Sequence, residues 1–149
     1  MYERILIAFD GSDTSKRALD EALQLARLTG GQVCVVHVTD IVAPLGLGLG
    51  YVPADLIEKY QDEARKQLEA VRSEAKAAGV NCETQVLMLE TVTDSVAQCL
   101  QRCATRYGAQ LVVLGTHGRR GVRRAFLGSV AEAFARDSEC PVLLVRGQS

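Results

Sequence analysis

No stretch of this sequence is suited to crossing a bilayer. Its longest uncharged run, Ile41 to Ala54, is too short and too rich in glycine. Neither sign of charge dominates: 17 Lys and Arg stand against 18 Asp and Glu, for a formal net charge of -1. That balance offers no general pull toward nucleic acid or an anionic membrane, and neither is expected as a partner. No charged-then-apolar leader precedes the strand-like run that begins at Arg4 and Ile5, so a cytoplasmic address is expected.

Recognisable metal and cofactor patterns are also missing. The cysteines Cys34, Cys82, Cys99, Cys103 and Cys140 contain no C-x-x-C, and the only histidines are His37 and His117. They read as small core hydrophobes, reduced in cytoplasm. Cys99 and Cys103 lie four apart on one helical face, the spacing of a metal or redox pair, but no second pair accompanies them. A Walker loop would need G-K-[S/T], and Ser129 is not preceded by lysine. No internal repeat or linker divides the 149 residues, so 1–149 reads as a single domain able to bury a core without staples.

What is present alternates strand and helix. Arg4 to Phe9 reads as a strand, Asp10-Gly11-Ser12 as a turn, and Thr14 to Thr29 as an amphipathic helix stopped by Gly30-Gly31. Gln32 to Val38 is a valine-rich strand. Thr39 to Pro53 is a loop whose glycines lack dinucleotide-fingerprint spacing. A long helix, Ala54 to Ala78, carries mixed charge outward and ends at Gly79. Then follow a strand from Cys82 to Leu89, a helix from Thr93 to Tyr107, and strand Leu111 to Leu114. Helix Ser129 to Asp137 and strand Pro141 to Val145 close the chain. Such alternation implies right-handed crossovers and an open α/β parallel sheet covered on both faces.

The stretch LVVLGTHGRRGVRRAFLGSV, Leu111 to Val130, carries the chemistry. Gly115, Gly118 and Gly121 permit positive φ and close approach to the backbone, while Arg119, Arg120, Arg123 and Arg124 offer forked cationic donors. Gly128-Ser129 then opens a helix, whose unpaired amides suit an anion. A blander reading uses the same residues: Ser129 and Glu132 have capping-box spacing, the glycines make a tight turn, and the arginines face water.

The spacing Gly115, two residues, Gly118, nine residues, Gly128-Ser129 resembles the nucleotide motif of the ATP-binding branch of the universal stress protein family. The opening ILIAFDGSDTSKRAL and the closing CPVLLV are similar to that family's first and last strands, so the resemblance spans essentially the whole chain. It implies a doubly wound five-stranded sheet of order 3-2-1-4-5, adenine nucleotide alpha hydrolase-like. Ligands in such sheets bind beyond the carboxyl ends of the strands where the order reverses, here between the first and fourth.

By that resemblance the ligand is ATP, with magnesium or manganese as a companion ion. Asp10 would accept hydrogen bonds from the ribose or base region, and Val38 would touch adenine. Ala8, Phe9 and Leu114 would line the floor, Phe9 being larger than the residue often found there. Gly115, Gly118, Gly128, Ser129 and Val130 would hold ribose and phosphates. Arg119 and His117 are added from their chemistry as phosphate contacts, and a helix cap near Ser12 is the simpler role for Asp10. The family also implies a homodimer, with strand 141–145 paired antiparallel across a two-fold axis. FDGSD stands where ATP pyrophosphatases of related folds carry an SGG-type turn, which disfavours that reaction. The reading is a nucleotide-binding regulatory protein of the stress response. Its alternatives are an interaction or chaperone-like module using loop 44–53 for a protein partner, or a slow ATPase or autophosphorylating enzyme.

Overall fold

The computed structural model describes residues 1–39, 53–89, 91, 93–117 and 127–147. Gly118, Arg119, the other three arginines of that cluster and the 44–52 segment therefore lie outside the described residues. The elements run β1 (Arg4–Ala8), α1 (Asp13–Thr29), β2 (Gln32–Thr39), α2 (Ala54–Ala77), β3 (Asn81–Met88), α3 (Val96–Tyr107), β4 (Leu111–Gly115), α4 (Ser129–Asp137) and β5 (Val142–Val145).

Local chemistry sets most of these boundaries. The Ser12 side chain accepts from the Ser15 amide and starts α1, while Gly30, at φ 69°, ends it by donating to the Ala26 carbonyl. Ser95 caps α3 by accepting from the Gln98 amide. That helix therefore begins at Val96, three residues later than the pattern from Thr93 suggests. Gly108, at φ 72°, closes α3 in the left-handed conformation that favours glycine.

The strands form one sheet in the order β3-β2-β1-β4-β5, and every pairing is parallel. Alternate residues of each strand feed two cores. Ile5, Ile7, Val33, Val35 and Val113 meet Leu19 and Leu23 of α1 and Leu68 and Val71 of α2. On the other face Leu6, Cys34, Val36, Val112 and Leu114 meet Leu100 and Cys103 of α3 and Phe134 of α4. Burial on both faces explains why these strands read as unbroken apolar runs. Each fully buried Leu, Ile or Phe contributes about 1.5–3 kcal/mol relative to exposure. No described helix is long and apolar enough to cross a membrane.

This order makes β1 and β4 neighbours with their chains departing to opposite sides of the sheet. Ala8 and Gly115, the last residues of the two strands, thus flank the point where the strand order reverses, the place at which such sheets bind ligands.

Candidate nucleotide site

The β1–α1 turn is built by short polar contacts. Gly11 takes φ 83°, and the Asp10 carboxylate accepts from the Ser12 amide at 2.8 Å. Asp10 therefore shapes the turn ahead of the helix, and the cap itself is Ser12. Ser15 stiffens the same turn, its hydroxyl donating to the Ser12 carbonyl at 2.9 Å and lying 3.4 Å from the Asp10 amide.

The end of β4 is joined to this turn through a residue that sequence reasoning missed. The buried Thr14 hydroxyl donates to the His117 carbonyl. A Cβ on Gly115 would lie 2.7 Å from Thr14 Oγ1 and 3.0 Å from the Thr14 carbonyl carbon. Gly115 is not among the residues with positive φ. The expectation that it supplies left-handed backbone is corrected: its missing side chain admits the first turn of α1.

Thr116 carries the connection onward. Its amide donates to the Val145 carbonyl at 2.9 Å, its carbonyl accepts from the Gly128 amide at 2.6 Å, and its hydroxyl lies 2.9 Å from His117 Nδ1. Among the described residues the buried His117 Nε2 has no hydrogen-bond partner.

The capping-box expectation is also corrected. Gly128 is the N-cap of α4, with φ -59° and no side-chain cap bond, and Ser129 is already helical. Glu132 instead pairs with Arg136 at 3.0 Å, one turn along. Among the described residues the first amides of α4 are thus without a side-chain acceptor at the positive end of the helix dipole. Ser129 and Val130 are exposed there.

The expected floor residues divide between the two faces of the sheet. Ala8, Val38 and Leu114 share the core against α3 and α4. Phe9 is only 7% exposed and packs with the opposite core, among Leu19, Leu23 and Leu68. Its ring packs into the interior. The fold thus gathers Asp10, Gly115, His117, Gly128 and Ser129 through Thr14 and Thr116, with Ala8, Val38 and Leu114 to one side. Among the described residues no group of three or more His, Cys, Asp or Glu is placed to hold a metal ion.

Comparison with known proteins agrees with this architecture. Residues 1–146 match the universal stress protein family. The chain is 33% identical to the universal stress protein YxiE of Bacillus subtilis, over 98% of this chain and 100% of that one. It superposes with a TM-score of 0.69 on a universal stress protein solved in complex with cAMP, at 26% identity and covering 99% and 98% of the two chains. A second solved structure, the universal stress protein from Archaeoglobus fulgidus in complex with dAMP, gives TM-score 0.69, 26% identity and coverages of 97% and 98%. The match over residues 1–146, with the identity to YxiE, places this chain in the universal stress protein family.

Proposed function

We propose that this protein binds ATP in the crevice between β1 and β4 and serves as a nucleotide-binding regulator of the stress response. The observation that carries the reading is the uncapped start of α4, tethered by Gly128 to Thr116 and so held beside the Asp10 turn. Free amides at a helix start suit phosphate oxygens. Relatives solved with cAMP and dAMP support an adenine nucleotide as the class of ligand.

In this reading Asp10 takes the ribose or base side, and Val38, with Ala8 and Leu114 behind it, takes adenine. Gly115, Gly118, Gly128, Ser129 and Val130 surround ribose and phosphates, and His117 and Arg119 add donors. Magnesium or manganese would accompany the phosphates.

Saturating ATP should then stabilise the fold by about 2.7 kcal/mol at a hundredfold excess over Kd. For a chain of this size that raises Tm by roughly 5 to 10 °C. Differential scanning fluorimetry with and without millimolar ATP and magnesium checks this, and an unchanged Tm defeats the proposal.

The same reading includes a homodimer. β5 is the sheet's edge, its Val142, Leu143 and Leu144 are only partly buried, and an apolar edge invites pairing. Analytical ultracentrifugation should find a dimer at micromolar concentration. A monomer there would remove the edge-pairing part of the proposal and leave the nucleotide site standing.

A further inference from the structure

At the amino-terminal end of the strands, opposite the nucleotide crevice, a cavity of about 480 Å³ is lined by Arg4, Gln32, Glu83, Gln85, Arg106 and Tyr107. Gln85 links it to two buried thiols. Its amide donates to Cys34 Sγ at 3.7 Å, and Cys103 donates to its Oε1 at 3.6 Å. Glu83 holds the same side chain from the β3 side, accepting from it at 3.0 Å. Cys34 and Cys103 are 0% and 1% exposed, and Gln85, which lines the cavity, contacts both. Cys99 and Cys103 are four apart in sequence, whereas the fold sets Cys103 of α3 against Cys34 of β2.

Two further features distinguish this spot. The Tyr107 hydroxyl is buried and has no hydrogen-bond partner among the described residues. Burial, then the Cys34 thiol and the Glu83 carboxylate, push its pKa up to about 12, so it stays a donor without an acceptor. Leaving a buried hydroxyl unmatched is costly, and a guest oxygen brought within its reach would relieve that. The thiols are also unequal. The Cys34 thiol, then the Arg106 guanidinium, draw Cys103 below the usual cysteine range. Cys34 itself is pushed up by Cys103 and by burial, while burial raises both Cys82 and Cys99. Of the two facing thiols, Cys103 is therefore the more readily deprotonated.

We propose that Cys103 and Cys34 form a hydroperoxide-reactive dithiol reached through this cavity, with Tyr107 and Arg106 positioned for the oxygens of the guest. The Cys103 thiolate takes one oxygen as the O–O bond breaks, forming a sulfenic acid, and the other oxygen leaves as alcohol or water after gaining a proton from solvent. The Cys34 thiol then attacks the sulfenic sulfur. An S–S bond forms, the S–O bond breaks, and hydroxide leaves with the Cys34 proton as water. Two thiols are oxidised by two electrons in all, and one hydroperoxide is reduced. The nucleotide reading plays no part in this.

The test uses the full chain and hydrogen peroxide as probe, with alkylation, intact mass and peptide mapping at timed intervals. The expected product has lost two hydrogens and carries a Cys34–Cys103 linkage, formed before Cys82, Cys99 or Cys140 reacts. In Cys34→Ala, dimedone should trap Cys103 as the sulfenic acid. Tyr107→Phe keeps the ring in place and Arg106→Ala alters an exposed side chain, so both should fold and slow the linkage by about tenfold. First oxidation at another cysteine, linkage only in denaturant, or an unchanged rate in both variants would each overturn the proposal.

Discussion

Gly115→Val should cost the protein about 3 kcal/mol of stability, the upper end of the usual overpacking range. At this size the loss lowers Tm by roughly 6 to 12 °C. The first added carbon would sit 2.7 Å from Thr14 Oγ1, 2.9 Å from its Cβ and 3.0 Å from its carbonyl carbon. The hydroxyl could turn aside, but the carbonyl carbon belongs to the first turn of α1 and moves only with the helix. Relief would therefore break the Thr14 to His117 contact that joins the two loops. Gly30 supplies the control. It is left-handed at φ 69° and a Cβ there meets nothing within 4 Å, so Gly30→Ala should cost only about 1 kcal/mol of backbone strain. Urea unfolding of both variants decides the point. If Gly115→Val costs no more than Gly30→Ala, close packing of α1 on β4 is not what requires glycine at this position.

The contrast between these glycines marks what could be read from the chain. Gly30 and Gly108 stop helices through their own backbone conformation, a local property visible beside an apolar helical pattern. Strand order was likewise legible, because alternating elements with unbroken apolar strands admit few arrangements, and the resemblance chose among them. Gly115 looks the same in sequence, yet its cause is Thr14, which is distant in the chain and was read only as the start of a helix. Ser129 and Glu132 have capping-box spacing, but Arg136 lies one turn beyond and takes the carboxylate. Asp10 was weighed as a cap and proves to set the turn before one, because Ser12 already fills that role. The cysteines were read as core hydrophobes, and the approach of Cys103 to Cys34 was not read, since a contact between a helix and a distant strand leaves no spacing signal. The legible features are local or periodic, and the missed ones are single contacts between distant segments.

Such a contact also governs the proposed phosphate site, and Gly128→Val should weaken ATP binding by about a hundredfold or more. A Cβ on Gly128 would lie 2.7 Å from the Thr116 carbonyl oxygen, the very atom that accepts the Gly128 amide at 2.6 Å. Thr116 cannot easily retreat, because its own amide is bound to Val145 and its hydroxyl sits beside His117. The start of α4 has to swing away, carrying its uncapped amides off the phosphate position. Loss of two charge-assisted hydrogen bonds, each worth about 1.5–3 kcal/mol, accounts for the hundredfold figure. Stability should fall by only about 1–3 kcal/mol, leaving a folded protein to titrate. Adenosine has no phosphate and should lose much less affinity than ATP, since the strongest interactions removed are those with charged oxygens. Arg119→Ala should share this selectivity for ATP over adenosine, whereas Asp10→Ala should weaken both alike. Calorimetric titration of the three variants with ATP and adenosine separates these outcomes. Equal losses for the two ligands in Gly128→Val would mean that α4 shapes the crevice without holding phosphate, and ATP binding at parental strength would remove the helix start from the site altogether.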